Sequence, residues 1–536
     1  MSNGAELIVK TVSILEIGAV FGIDDFNTNP VLELFESTKI NVIRFPNQKI
    51  ASLASSIYGY IKSSPAILLL PGSSQFLDGL SGISNAQYQR WPLIVITIST
   101  DERNISHFST SLVKFYQRCS VLDKVQKVLI QAFKCSINGR TGPTHIHFDS
   151  SVLTAPVEDS LKQLTKRNSY TKFSLLPESN RLDDIVFLLT KARNPLIVVG
   201  KNAASSSKAH IQLRSLVQNF HLPFITTAMA RGTVPDFSQH SFTVIANESI
   251  ENADFLILVG TSLKELSQNN FNTFNKNNKK VKVIQIDNVP EEIEDEFIPF
   301  LDTVYELALV GDLHDVLECL NERLQAIDYV ARSPLTYLSK LRDQKIRIFT
   351  ELEIAGSPES SVNMFYAFKS IRESFQEYQD DVYSVVEGFD LSNEFSSLLY
   401  PMFLPKQLID VTSLPVPGNG LLYAMSLKAI ERTWLSVFFF KEDAPLTFSV
   451  TDLITSISND LPVICIIFNE TKSVRYDLLC QSLNIDGFSA TTTKDMDTSL
   501  KLGIQAYLKR KRSVVIDIQI ESFPERALNV HLVPKM

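Results

Sequence analysis

The sequence predicts an α/β protein of three consecutive domains, each built on a doubly wound parallel sheet. Short apolar runs alternate with amphipathic helical patterns along the 536 residues, which is typical of parallel sheets covered by helices on both faces. Polar stretches at 155–170 and about 327–362 interrupt this alternation. They leave three blocks of ordinary domain size, which we assign to residues 1–165, 175–330 and 360–536.

The buried strands are predicted from apolar runs of about four to eight residues, the length expected for strands that are covered on both faces. Three such runs occur in each block: Ala66–Leu70, Pro92–Ile98 and His145–Phe148; Leu196–Val199, Phe255–Val259 and Val281–Ile286; Leu435–Phe440, Val463–Phe468 and Val514–Ile520. The helical patterns lie between them, so each block is expected to form its own sheet.

Composition excludes several classes of protein. A net charge of −8 argues against a general nucleic-acid binder, and no apolar run reaches the ~18 residues of a membrane-spanning helix. The five cysteines contain no Cys-x-x-Cys pair, so neither a disulfide framework nor a zinc site is predicted. Glycine is scarce: 19 of 536 residues is about half of the usual share of ~7%. This scarcity matters for any loop whose backbone must closely approach a phosphate.

Two histidines form a weaker candidate for chemistry. His145 and His147 are two residues apart on a predicted strand, so their side chains share a face. No third metal ligand lies near them in the sequence, and structural histidines are therefore favoured over a metal site.

Short motifs that occur in the same order in one known family are spread over nearly the whole chain. They lie at Val20–Ile23, Gly139–Pro143, Val198–Ala204, Pro223–Asp236 and Gly418–Met425. With these motifs the chain resembles the thiamine-diphosphate enzymes, most closely the branch of 2-hydroxyacyl-CoA lyases and oxalyl-CoA decarboxylases. The resemblance implies a pyrimidine-binding-like first domain, a central Rossmann-like domain and a diphosphate-binding-like third domain. It also implies a homodimer or homotetramer that acts on an acyl-CoA or a 2-oxo acid.

The resemblance implies a catalytic residue in the first domain. Family members use a glutamate there, which hydrogen-bonds the aminopyrimidine ring of thiamine diphosphate and relays a proton. The matching position in this chain is Gln48. Glutamine donates and accepts hydrogen bonds but does not exchange a proton as a carboxyl group does. The alternative is that Gln48 only hydrogen-bonds a neighbouring helix.

The third domain of the family holds Mg²⁺ and the diphosphate with a Gly-Asp-Gly loop and a later asparagine. The resemblance implies that the metal ligands here are Asp443 and Glu470, and that Ala444, Asn469 and Lys472 also contact the cofactor. Glutamate replaces the usual asparagine ligand at 470, and carboxylate oxygen suits Mg²⁺. The alternative is that the charges in these loops are solvated and bind nothing.

Glu442 and Pro445 also change the loop that should hold the diphosphate. Glu442 replaces a glycine, and Pro445 lacks the backbone N–H that phosphate-binding loops supply. Two functions therefore stay open: a thiamine-diphosphate-dependent carbon–carbon lyase with a weakened or altered cofactor site, and a non-catalytic pseudoenzyme that serves as a binding or regulatory subunit. The final residues, Pro534-Lys535-Met536, resemble a peroxisomal C-terminal signal, so the peroxisome matrix is predicted, with the cytoplasm as the alternative.

Overall fold

The computed structural model describes residues 3–72, 74–99, 106–157, 174–206, 208–263, 266, 281–293, 304–331, 335–355, 361–388, 400–411, 414, 418–441 and 450–521. These residues form three parallel sheets, one in each predicted block, with helices between most successive strands. The predicted fold class is confirmed. All nine predicted strands are present, with ends that differ from the prediction by at most two residues.

The first sheet has six described strands in the order β2-β1-β3-β4-β6-β5. They are β1 Ala19–Ile23, β2 Asn41–Phe45, β3 Ala66–Pro71, β4 Leu93–Ser99, β5 Phe115–Cys119 and β6 Pro143–Asp149. The helices of this block are Gly4–Ile14, Asn29–Glu36, Gln48–Lys62, Leu80–Gln89, Ser106–Ser109, Val125–Ile137 and Ser150–Thr154.

The second sheet has five described strands in the order β11-β10-β9-β7-β8. They are β7 Pro195–Val199, β8 Phe224–Thr226, β9 Phe255–Val259, β10 Lys282–Asp287 and β11 Val304–Val310. Helices Ser179–Lys191, Lys201–Ser205, Ala209–Phe220, Ala246–Asn252 and Leu313–Ala326 accompany it. The polar stretch 327–362 that follows contains a further helix, Leu335–Ala355.

The third sheet has six described strands in the order β13-β12-β14-β15-β17-β16. They are β12 Val382–Glu387, β13 Leu408–Asp410, β14 Leu435–Lys441, β15 Ile464–Asn469, β16 Asp486–Ala490 and β17 Val514–Gln519. Its helices are Met364–Phe375, Gly420–Ile430, Val450–Ser458, Tyr476–Ser482 and Thr493–Arg510.

Polar side chains set the starts of several helices. Asn47 accepts a hydrogen bond from the backbone N–H of Ile50 at 3.0 Å, and Asn363 caps its helix in the same way. Thr492 and Asp495 form a reciprocal capping box. Because the first turn of a helix leaves its N–H groups without partners, these caps fix where each helix begins.

The described residues form two compact units. One contains Met1–Phe173, Leu414–Ser436 and Phe448–Val463, and the other contains Ser174–Ser413, Val437–Thr447 and Ile464–Met536. The predicted domain boundaries at 1–165, 175–330 and 360–536 stay a prediction. No helix of the described residues is both long and apolar enough to cross a bilayer.

All three sheets share one feature that positions ligands. In each, the first strand of the block lies between the second and the third, so the chain reverses its direction of winding beside the first strand. In open parallel sheets, ligands bind at such a switch point, outside the carboxyl ends of the strands. The carboxyl edges of the sheets are therefore the places to examine for a site.

Candidate functional site

The carboxyl edge of the third sheet carries most of the predicted cofactor-binding residues. Strand β14 ends at Lys441 and β15 ends at Asn469, with Glu470 next in the chain. The predicted ligands Asp443 and Ala444 follow β14 but lie outside the described residues, as do Glu442 and Pro445. The predicted residues that the structure describes at this edge thus lie at the end of β15 and in the turn after it.

Asn469 is fully buried and bonded inside the protein. Its Nδ2 donates to the carbonyl of Val474 at 2.8 Å and to Oδ1 of Asp517 at 2.9 Å. Its Oδ1 accepts a hydrogen bond from the backbone N–H of Lys472 at 2.8 Å. Both amide hydrogens are therefore used within the fold, and Asn469 holds the turn after β15. Its cofactor-binding role stays a prediction that depends on its oxygen alone.

Asp517 is a buried partner that the sequence analysis missed. Its carboxylate accepts the hydrogen bond from Asn469 and another from the backbone N–H of Tyr476 at 3.2 Å. Burial, aided by the nearby charge of Asp477 and opposed by the bond from Asn469, raises the pKa of Asp517 to about 6. The signal was available, because an aspartate interrupts the otherwise apolar run of β17.

Glu470 has a counter-charge that the sequence did not predict. Its Oε2 lies 3.6 Å from Nζ of Lys441, whose side chain is only 12% exposed, while that of Glu470 is 31% exposed. A carboxylate suits Mg²⁺, but a divalent ion at this carboxylate would lie against a shielded ammonium group and be repelled by it. Glu470 is thus already paired with a cation of the protein, and its role as a Mg²⁺ ligand stays a prediction.

The resemblance implies a glycine at position 472, where this chain has a lysine. Its φ is +56°, in the left-handed region that glycine adopts without strain and other residues rarely adopt. The side chain is exposed. The turn after β15 thus keeps the backbone of the glycine it replaces, while its side chain adds a positive charge at the rim of the edge.

Among the described residues, three side chains of metal-ligating type lie together at a different place. His314, Asp315 and Glu318 lie together near the start of helix Leu313–Ala326 in the central block. His314 and Asp315 already pair with each other, with Nδ1 and Oδ1 3.0 Å apart. Nothing in the described structure points to an ion there, and Glu470 does not belong to the group.

Gln48 lies at the start of helix Gln48–Lys62, directly beyond the carboxyl end of β2. Its side chain is 8% exposed, and a Cβ added at Gly79 would lie 4.0 Å from the Cβ of Gln48. The residue therefore sits at the carboxyl edge of the first sheet, beside the segment Ser74–Gly79 that follows β3. The contact of Gln48 with a pyrimidine and its hydrogen bond to a neighbouring helix both stay predictions.

The two histidines of β6 form a buried network on the same sheet. His145 Nε2 and His147 Nδ1 each lie 2.8 Å from the Thr97 hydroxyl. Because a hydroxyl donates one hydrogen, one imidazole donates to it while the other accepts. Phe76 stacks on His145 at 5.1 Å between ring centroids, and Tyr116 meets it edge-on. Burial, with a contribution from His147, lowers the pKa of His145 to about 3, so this histidine is neutral and structural.

Comparisons with known proteins extend over most of the chain. Residues 2–120 match the family model described as "Thiamine pyrophosphate enzyme, N-terminal TPP binding domain", and residues 182–320 match "Thiamine pyrophosphate enzyme, central domain". Oxalyl-CoA decarboxylase of Escherichia coli is 24% identical over 96% of this chain and 95% of its own length.

Two lyases are similarly related. The 2-hydroxyacyl-CoA lyase of Saccharomyces cerevisiae is 25% identical over 94% of this chain and 94% of its own length. The human 2-hydroxyacyl-CoA lyase 1 is 23% identical over 92% of this chain and 84% of its own length. Two stretches of the chain therefore match the N-terminal and central domains of the thiamine pyrophosphate enzymes, and the predicted resemblance to that family is confirmed.

Proposed function

We propose that this protein is a relative of the 2-hydroxyacyl-CoA lyases whose site for thiamine diphosphate is weakened or altered. The observation that supports this most directly is the ion pair between Lys441 and Glu470. It places a protein cation against the carboxylate that the resemblance assigns to Mg²⁺. The internal bonds of Asn469 support the same conclusion, because they leave no amide hydrogen for a cofactor.

If the protein is active, its substrate belongs to the acyl-CoA class, as the names of its relatives suggest, or to the 2-oxo acids that the family resemblance implies. Carbon–carbon bond cleavage in this family relies on the chemistry of thiamine diphosphate. Gln48 would orient the pyrimidine by hydrogen bonds without exchanging a proton. Since general acid–base catalysis is worth about 10²–10⁴-fold in rate, turnover would be slow.

The second candidate function is that of a non-catalytic subunit. In this case the protein keeps the fold and the homodimer or homotetramer of its relatives, and serves as a binding or regulatory partner. The replacements at Gln48, Glu470 and Lys472 support it, since they alter the expected cofactor site while the sheets around them are intact.

A calorimetric titration with thiamine diphosphate and Mg²⁺ separates the two candidates. A weakened site predicts saturable binding that is weaker than micromolar and thermal stabilisation of the protein by the cofactor. Absence of heat and of stabilisation at millimolar cofactor would instead support the non-catalytic subunit. Binding near micromolar that needs Mg²⁺ would contradict both, because the site would then be intact.

A variant with Gln48→Glu, Glu442→Gly and Glu470→Asn tests whether these replacements weakened the site. We expect it to bind thiamine diphosphate at least about ten-fold more tightly than the natural protein, a gain of about 1.4 kcal/mol. Glu322→Asn, an exposed acidic residue on a helix of the central block, is the matched control and should change nothing. Equal affinity of the triple variant and the natural protein would show that other residues determine the loss.

The peroxisomal address is tested separately. Pro534-Lys535-Met536 lie outside the described residues, and the proposal rests on their similarity to a C-terminal signal. Deleting them from a protein with an N-terminal fluorescent tag should move it from peroxisomes to the cytoplasm. The same distribution with and without these residues would refute the address.

A further inference from the structure

A cavity lies at the opposite edge of the third sheet from the candidate cofactor site. It has a volume of about 290 Å³ and reaches Val382, the first residue of β12, and Gln407, the residue before β13. Because β12 and β13 are parallel, both of these residues mark the amino-terminal edge. Glu470 and Lys441 follow or end strands at the carboxyl edge, so the cavity is separate from that site.

The wall of the cavity is mainly aromatic and aliphatic. Phe375, Val382, Tyr400 and Met402 are buried side chains that line it. Phe237 also lines it, is 56% exposed, and meets Phe403 edge-on with 6.1 Å between ring centroids. An aromatic residue left this exposed beside an apolar cavity is suited to contact a ligand.

One buried side chain gives the cavity a fixed shape. Gln407 is 1% exposed, and its Oε1 accepts hydrogen bonds from the backbone N–H groups of Phe403 and Leu404 at 2.9 and 2.8 Å. Its Nε2 donates to the carbonyl of Gln379 at 2.8 Å. Gln407 thus ties two walls together, so the cavity is largely formed before any ligand binds.

Residues of the central block also bond to the cavity wall that Met402 and Phe403 form. Arg214 donates to the carbonyl of Phe403 at 2.8 Å, and Asp236 accepts the backbone N–H of Met402 at 2.9 Å. Gly232 has a φ of +80°, and a Cβ there would lie 2.1 Å from the carbonyl oxygen of Leu404. Glycine at 232 therefore allows the close contact that fixes this wall.

The charge on the cavity comes from a guanidinium group. Arg372 lines the cavity on helix Met364–Phe375 and is half-buried. Among the side chains that the structure describes, none forms a hydrogen bond or an ion pair with Arg372. The adjacent Glu373 also lines the cavity but is exposed, where water screens its charge. An anionic group on a ligand would pair with Arg372 and gain charge-assisted hydrogen bonds.

We infer that this cavity binds a small anion with a flat apolar body, whose ring packs among Phe375, Tyr400 and Phe403 and whose anionic group pairs with Arg372. The volume suits a ligand of one or two fused rings, at the small end of the range of ~300–1,000 Å³ for such pockets. The inference is independent of the proposed function, because none of its residues lies at a carboxyl edge.

The test uses 2-naphthoate and its neutral counterpart 2-naphthamide with the full-length protein. Both have the same flat body, and only the first carries the anion. We expect 2-naphthoate to bind at one site per chain and more tightly than 2-naphthamide, as measured by calorimetry. Arg372→Gln should weaken the binding of 2-naphthoate about ten-fold or more, since a charged hydrogen bond is lost, and leave that of 2-naphthamide unchanged.

Two further variants complete the test. Gln379→Trp changes an exposed side chain at the cavity and should block both compounds. Arg347→Gln, an exposed arginine away from the cavity, should leave both unaffected. Saturating thiamine diphosphate and Mg²⁺ should not compete with 2-naphthoate, so this outcome does not depend on the cofactor site. Equal binding of the two compounds, binding that survives Gln379→Trp, or no binding at millimolar 2-naphthoate would each overturn the inference.

Discussion

Replacing Asp236 with alanine is expected to lower the free energy of unfolding by about 3–5 kcal/mol, the cost of leaving one member of a buried ion pair without its partner. Arg231 is 2% exposed, and its Nε and Nη2 donate to Oδ2 of Asp236 at 3.0 and 2.8 Å. Its Nη2 also donates to the carbonyl of Tyr400 at 2.6 Å. Without Asp236, the guanidinium charge stays buried and loses its carboxylate partner. Urea unfolding of the natural protein and of Asp236→Ala measures this difference in the free energy of unfolding.

An exposed ion pair is the matched control. Arg323 Nε and Asp183 Oδ1 are 2.9 Å apart, but the Asp183 side chain is 67% exposed, so Asp183→Ala should cost no more than about 1 kcal/mol. A double variant, Arg231→Met with Asp236→Leu, should recover much of the stability because it removes both buried charges. A loss from Asp236→Ala as small as that from Asp183→Ala would show that the buried pair does not stabilise the protein.

His145 is expected to be a main source of acid sensitivity. Its pKa is about 3 in the folded protein, whereas that of an unfolded histidine is about 6.5. The contribution of His145 to stability is therefore fully present above pH 6.5. It decreases as the pH falls towards 3, because only the unfolded chain binds the proton. At about 1.4 kcal/mol per pKa unit, the loss across this range is about 4–5 kcal/mol.

The variant His145→Gln removes the titrating group. We expect the difference in unfolding free energy between the natural protein and this variant to shrink as the pH falls from 6.5. Exposed His221, replaced by asparagine, is the control for a histidine outside the network. Stability curves for the natural protein and His145→Gln that run parallel between pH 6.5 and 4 would contradict the assignment.

The strands predicted from the sequence are all interior strands of their sheets: β3, β4 and β6; β7, β9 and β10; β14, β15 and β17. The interior strands β1 and β12 were not predicted. Both faces of such a strand are covered, so its residues form one continuous apolar run. Strands at or near the edges lack this signal. β16 reads Asp-Gly-Phe-Ser-Ala, and β5 is half exposed. These sequences become strands only through pairing with a neighbour, which local sequence does not encode.

The candidate site, like the strands, was predicted from the sequence only in part. The sequence predicted which loops follow which strands, and parallel strands bring those loops to a common edge. It therefore placed Glu470 beyond the predicted strand Val463–Phe468, as the structure confirms. Gln48 was assigned by the resemblance alone, and the strand before it, β2, was not predicted. The sequence did not predict that Lys441 pairs with Glu470, or that Asn469 bonds Asp517. Those partners are far apart in the chain and meet through the order and register of β14, β15 and β17.

By itself, therefore, the sequence determined the fold class, the three parallel sheets and the replaced residues at the expected cofactor positions. These depend on apolar periodicity and on residue identity, which are local. Only the tertiary structure decided which charges are neutralised, which amide hydrogens are already bonded and where a preformed cavity lies. These depend on distances of a few ångströms between residues tens or hundreds of positions apart, and such distances are set by how strands pair and helices pack.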